Sequence, residues 1–192
     1  MRYSAEHKEQ TRKQIVRSAE RTFRELGFGG AGIDRLVREA GVTSGAFYGH
    51  FKSKEDAFAA TAIAGLALLE DTIAQMQEDH GEQWAGKFVD FYLNDLRTCD
   101  LAESCALQSL TPDVMRARES TRSAYESAFT KVVDRFAEGL PQFDKETAQS
   151  RARAVLALVA GAVTLARSSA SKDLSKASAE AAREAALLIL SS

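Results

Sequence analysis

Between Gly41 and Glu55 the chain reads Gly-Val-Thr-Ser-Gly-Ala-Phe-Tyr-Gly-His-Phe-Lys-Ser-Lys-Glu, which gathers small, hydroxylated, aromatic and cationic side chains in one short stretch. The chemistry this mixture can do is recognition of an anionic, hydrogen-bonding surface. The hydroxyls of Thr43 and Ser44 can bond several kinds of base edge, and Gly45 removes bulk where backbone must approach a base closely. Tyr48, His50 and Lys54 suit phosphate oxygens. No arginine stands within the stretch to read guanine, so Arg35 and Arg38, just upstream, are the candidates for that task.

Other chemistries find little support. Gly27-Phe28-Gly29-Gly30-Ala31-Gly32 formally matches a dinucleotide fingerprint, but that fingerprint needs a preceding strand, and an amphipathic helical pattern precedes it here. The chain holds no serine nucleophile elbow, no H-E-x-x-H and no phosphate-binding Walker loop. The expectation is therefore a non-enzyme with no cofactor and no metal. His7 falls ahead of the first helical pattern, in a stretch expected to fray, and His80 stands beside a glycine at a helix end. Cys99 and Cys105 are too few for a disulfide framework and lack zinc-site spacing. Two readings of them stay open: buried free cysteines, or a redox or electrophile sensor with Arg97 as the nearby thiolate stabiliser.

A third group of residues is apolar and aromatic. Trp84, Phe88, Phe91 and Tyr92 share one helical stripe, and Tyr125 and Phe129 share another. With Cys105 and Gln108 they make a candidate effector pocket, mostly apolar with a few polar groups; ordinary helical core is the competing reading.

These residues need a scaffold, and composition dictates its type. Two prolines in 192 residues, with alanine, leucine, glutamate and arginine abundant, favour helix throughout. The net charge of −2 by itself argues against nucleic acid, but residues 1–56 hold 11 Lys or Arg against 8 Asp or Glu, and the remainder 14 against 19. The basic excess thus sits at the end that carries the recognition stretch. No secretory signal precedes the first helix, and the nearly uncharged stretches Ala57–Leu69 and Ala154–Ala166 fall short of a bilayer span. A soluble, cytoplasmic protein with no membrane partner is expected.

Helical periodicity runs from Thr11 to Leu26 through Ile15, Val16, Ala19, Phe23 and Leu26, and Gly27 ends it. A shorter helix with Ile33, Leu36, Val37 and Ala40 inward is stopped by Gly41, and Thr43 or Ser44 can cap a third. Two short helices joined by Gly41-Val42-Thr43 make a helix-turn-helix, whose second helix lies in the major groove. Ser53 to Asp56 reads as a capping box for a fourth helix that continues at least to Glu70. Beyond His80-Gly81, longer helices are expected to about Thr98, from Arg118 to Gly139, over Lys145–Ser169 and over Leu174–Leu190, with Thr111-Pro112-Asp113 and Leu140-Pro141 as breaks. The fold class expected is all-α, with a helix-turn-helix DNA-binding domain over residues 1–55 and a larger helical domain over 56–192, whose effector-binding and dimerisation roles are implied only by the family resemblance of residues 41–55.

The stretch Gly41 to Glu55 closely resembles the signature of the tetracycline-repressor (TetR) family, roughly A-G-V-S-x-G-x-x-Y-x-H-F-x-S-K-E, and the resemblance to that DNA-binding domain extends from about Thr11 to Phe58. It departs at Ala31-Gly32, where the family usually places Thr or Ser; Gly32 is a weaker cap and removes one hydroxyl contact to the DNA backbone. The resemblance implies that Tyr48, His50 and Lys54 meet phosphates while Thr43, Ser44 and Gly45 face bases. It also implies a ligand-controlled regulator, most simply a repressor, that binds a palindromic double-stranded DNA operator as a homodimer and is released by a small-molecule effector. Repression and activation both remain open. The implied dimer forms through the last two helices, for which Ala152, Ala157, Ala160, Gly161, Ala162 and Ala166 offer small residues, with Leu156, Val159 and Val163 between them. A helical enzyme or carrier, or a protein-interaction module, are the competing functional classes.

Overall fold

The computed structural model describes residues 5–191, which are helical apart from turns and short connections. They fall into two compact units, residues 5–65 with 101–125, and residues 66–100 with 126–191.

The first unit opens with α1 (Ala5–Gly30), followed by α2 (Ile33–Glu39), α3 (Ser44–Tyr48) and the start of α4 (Lys54–His80). α1 begins well before Thr11, so His7 is part of the helix rather than of a frayed end. Ile15, Val16, Ala19 and Phe23 of α1 are buried with Leu36, Val37, Phe47, Phe51 and Phe58. The rings of Phe23 and Phe28 each meet Phe58 edge-on, at centroid distances of 5.3 and 5.2 Å. Gly27 breaks α1 at φ 69°, a backbone region that side chains disfavour. The helical turn after the break is anchored by the Phe28 N–H, which donates to the Asp113 carboxylate at 2.7 Å.

The unit is completed by a 3₁₀ turn (Leu101–Glu103), then by the one-turn helices α6 (Ala106–Ser109) and α7 (Thr111–Val114) and the start of α8 (Glu119–Glu138), while α5 (Trp84–Thr98) belongs to the second unit. Thr111-Pro112-Asp113 therefore starts a helix instead of simply interrupting one. Proline is tolerated in a first turn because its missing N–H has no partner to lose there. Gly65 of α4 lies against Ala106 so closely that a β-carbon would overlap the Ala106 methyl.

The second unit holds the rest of α4, α5 (Trp84–Thr98), the rest of α8, α9 (Lys145–Ser168) and α10 (Lys172–Ser191). α9 packs on α10, and both contact α5. Asp144 caps α9, accepting from the Thr147 N–H at 3.0 Å, and these hydrogen bonds hold its carboxyl below the usual range. Arg183 on α10 pairs with Asp90 on α5 at 2.5 Å.

Two expectations need correction. The small-residue stripe of α9 is split by the fold: Ala152, Leu156, Val159, Ala162, Val163 and Ala166 are buried within the chain, whereas Ala157 and Gly161 are exposed. A helix buried on one face has room for only a narrow free stripe, and residues three and four apart sort strictly to one side or the other. The second concerns the apolar run after Lys54. With its continuation past Leu69 it is long and apolar enough, by length and composition alone, to cross a membrane. In the folded chain Ala57, Phe58, Ala62, Leu66, Leu69 and Ile73 of that run are core residues.

Candidate nucleic-acid interface and effector residues

The junction of α2 and α3 is fixed by backbone chemistry. Gly41 takes φ 62°, the Gly41 N–H donates to Arg38 O at 3.1 Å, and the Val42 N–H donates to Val37 O at 3.0 Å. This pair of bonds is a Schellman termination, which turns the chain sharply and leaves the α2 carbonyls satisfied. Gln14 of α1 adds a further anchor, donating from Nε2 to the Ala40 carbonyl at 2.8 Å. Gln14 carries no sequence signal; it stands on the polar side of an amphipathic helix, where most residues face water.

α3 starts where the Thr43 hydroxyl accepts from the Ala46 N–H at 3.1 Å. Thr43 is thus the cap, and its own O–H stays available to donate outward. Phe47 is fully buried and holds α3 to the core, and its ring meets Tyr48 edge-on at 5.5 Å. Ser44, Gly45 and Tyr48 project from the opposite side and are exposed, Tyr48 by 54% despite its size. A β-carbon at Gly45 would meet only the Thr43 hydroxyl oxygen, at 3.9 Å, so the space in front of it is open.

The flanking cations differ from one another. Arg38 is largely exposed, with Glu39 at 3.9 Å. Arg35 is engaged, donating to Glu25 on α1 at 2.8 Å and lying 3.9 Å from Glu39. Lys54 is turned back towards α1, donating to Phe28 O at 2.9 Å, which leaves it two further N–H donors. His50 is half-buried beside the end of α3, and its pKa lies below the usual 6.5, through burial first and then the nearby Lys8 and Arg12. Ser53 caps α4, accepting from the Asp56 N–H at 3.1 Å. Gly32 is the cap of α2 and supplies no side-chain hydrogen bond.

The sequence-nominated effector residues fall in both units. In the first, the Tyr125 hydroxyl and the Thr111 hydroxyl are 2.6 Å apart, and burial pushes the Tyr125 pKa up to about 12. Gln108 has its Oε1 buried with no donor among the described residues, and Cys105 is half-buried nearby in sequence. In the second unit, Trp84 donates from Nε1 to Gly139 O at 2.9 Å and meets Phe136 at 4.7 Å, while Phe88 meets Phe136 at 5.3 Å. Trp84, Phe88 and Tyr92 are buried core, and Phe91 and Phe129 are half-buried. Cys99 lies 3.1 Å from an Arg167 guanidinium nitrogen, so the cation beside this sulfur comes from α9 and not from Arg97, which bonds Leu93 O and Ser175 instead. No group of three or more His, Cys, Asp or Glu among the described residues is arranged to hold a metal ion.

Comparison with known proteins bears on both halves of the chain. The family described as bacterial regulatory proteins, tetR family, matches residues 15–61, and the C-terminal domain of LmrA/YxaF-like transcriptional regulators matches residues 83–180. The HTH-type transcriptional repressor AcnR of Corynebacterium diphtheriae is 36% identical over 64 residues, 33% of this chain and 34% of that protein. The chain therefore spans about a third of the length of that relative. The HTH-type transcriptional repressor NemR of Escherichia coli K12 is 25% identical over 133 residues, 68% of this chain and 67% of that protein. The crystal structure of reduced E. coli NemR superposes with a TM-score of 0.77 at 21% identity, covering 92% of this chain and 95% of that one. A TetR-family regulator from Cytophaga hutchinsonii gives a TM-score of 0.78 at 17% identity, covering 99% and 96%. These two structures establish the shared fold. With the regulator-type C-terminal match alone taking in over half of the residues, and the N-terminal match falling on the helix-turn-helix, the chain belongs to the TetR family of bacterial regulatory proteins, which is a non-enzymatic family.

Proposed function

We propose that this protein is a ligand-controlled transcriptional regulator, most simply a repressor, which grips a palindromic operator as a homodimer and lets go when a small molecule binds its helical domain. The observation that carries the reading is the free face of α3. Ser44, Gly45 and Tyr48 stand exposed on a helix whose other side is locked by Phe47, with Arg38 exposed beside them. A rigid element with small and hydroxylated side chains outward is what a major groove admits. Tyr48, His50 and Lys54 then serve phosphates, Thr43, Ser44 and Gly45 approach bases, and Arg35 joins Arg38 only if it releases Glu25. The repressor names of AcnR and NemR favour repression as the output.

The dimer reading rests on the outer faces of the last two helices. Ala154, Ala157, Gly161 and Leu165 are exposed along α9, and Ala177, Ala181 and Leu188 along α10. Paired with a second copy about a two-fold axis, these stripes bury the exposed leucines and let backbones come close. The two reading helices then address half-sites about 34 Å apart, or a multiple of it. The effector reading draws on each unit separately: Cys105, Gln108 and Tyr125 supply polar groups in the first unit, and Trp84, Phe88, Phe91, Tyr92 and Phe129 are the aromatic candidates of the second. The buried Gln108 Oε1 supports it, since an acceptor without a donor is a place for a ligand to donate. An effector weakens DNA binding only by as much as it prefers the DNA-incompetent state. A DNA partner of this kind places the protein in the cytoplasm.

The experiment is selection of bound sites from random duplex DNA at two salt concentrations. A recovered palindrome with steep salt dependence is the expected result. Folded, effector-free protein that enriches no sequence would refute the operator reading.

A further inference from the structure

The start of α1 and the end of α3 flank a half-open cavity of about 340 Å³, lined by Lys8, Glu9, Arg12, Gly49 and His50. Lys8 and Arg12 are four residues apart on α1 and so share one helix face. The Arg12 guanidinium is held 5.1 Å from the centre of the Phe51 ring, which fixes it at the cavity edge. Gly49 leaves its wall without a side chain. His50 follows at once, its N–H donating to Phe47 O at 2.9 Å, and its ring Nδ1 is buried with no hydrogen-bond partner among the described residues. The lining thus offers three groups able to carry positive charge against one carboxylate, beside the helix expected to enter the major groove, together with a ring nitrogen that wants a partner.

We propose that this cavity seats one backbone phosphate of the bound duplex, with Lys8, Arg12 and His50 as its donors, and that seating the phosphate is coupled to uptake of a proton by His50. The proposal rests on the DNA-binding reading above and extends it to residues on α1 that the recognition stretch does not contain. In the free protein the groups that act on the ring are burial, Lys8 and Arg12, all of which disfavour its charged form, and Glu9, which favours it. A phosphodiester brings a negative charge and only acceptor oxygens. It offsets Lys8 and Arg12 and rewards a ring with two N–H donors over a ring with one.

The sign follows. His50 holds its proton more tightly in the complex than in the free protein, where its pKa is below 6.5. The added affinity is full below the free-protein value and is lost as pH rises through the value in the complex, by at most about tenfold per pH unit for each proton taken up.

The test measures operator affinity by fluorescence anisotropy from about pH 5.5 to 8 at constant ionic strength, with thermal melting of each variant as a folding control. The wild-type affinity is expected to fall with rising pH while His50→Gln gives a flat profile. Lys8→Gln and Arg12→Gln are each expected to reduce the salt slope of binding by about one per half-site. Independently of affinity, the His50 ring resonance should titrate at higher pH with duplex than without it. Equal pH profiles for wild type and His50→Gln, or an unchanged salt slope in both α1 variants, would overturn the phosphate seat while leaving DNA binding intact. Absence of salt-dependent binding to any duplex by the wild type would overturn both readings together.

Discussion

Lys54 and Phe28 are linked twice: the Lys54 ammonium donates to the Phe28 carbonyl at 2.9 Å and lies 4.1 Å from the centre of the Phe28 ring. The first residue of α4 thus closes the open end of α1 just past its break at Gly27, where a carbonyl would otherwise lack a partner. A residue nominated for phosphate contact also holds the domain together.

Lys54→Met should therefore show two effects. Loss of a charged hydrogen bond and a cation–π contact is expected to lower stability by about 1–2 kcal/mol, read from the urea midpoint. Operator affinity should drop as well, evenly across sequences, as a lost phosphate contact does. Full stability in the variant would show that the Phe28 link contributes nothing.

At Gly45 stability and binding should move in opposite directions. The position is helical, and the space around a new β-carbon is open. Gly45→Ala should raise thermal stability by the helix-interior difference of about 0.5–1 kcal/mol. On the proposed operator reading the same methyl group stands where a base edge comes close, so affinity for the selected operator should fall. Unchanged affinity would remove Gly45 from the interface.

Gly65 is where the first unit tolerates no growth. Gly65→Ala drives a methyl group into that of Ala106, and overpacking of this kind costs about 1–3 kcal/mol. Chemical denaturation should show it. A fully stable variant would mean that α6 moves freely away from α4.

The dimer reading predicts that Leu165→Lys leaves the monomer fold unharmed, since Leu165 is 67% exposed in the single chain. A buried unpaired ammonium across a two-fold interface is costly. Sedimentation should therefore report a dimer for the wild type and monomer for the variant, with operator affinity reduced. A dimeric Leu165→Lys would move the interface elsewhere.

Tyr125 makes a prediction at alkaline pH. Its folded pKa of about 12 lies above the ordinary 10.0, so the folded state retains a proton that the unfolded state has lost. The stability this group confers is complete below about pH 10 and declines as pH rises towards 12. Stability measured against pH should flatten over this window in Tyr125→Phe. An unaltered slope would place the alkaline sensitivity on another group.

Local sequence determined a good deal by itself. A hydroxyl cap for α3 at Thr43 or Ser44, Gly41 as the hinge of the helix-turn-helix, Ser53 as the cap of α4 and the inward face of Ile15, Val16, Ala19 and Phe23 are all short-range matters, set by backbone preferences and a 3.6-residue period. Neighbours distant in the chain were decided only by tertiary structure. Asp113 reaches the Phe28 N–H across 85 positions, and Arg167 rather than Arg97 lies beside Cys99 across 68. Lys54 turns towards Phe28, and Lys8 and Arg12 share a cavity with His50. Periodicity says which face of a helix is apolar but not what will cover it. That is why Ala157 and Gly161 could be told from Ala162 and Ala166 only once α9 had packed against α10 and α5.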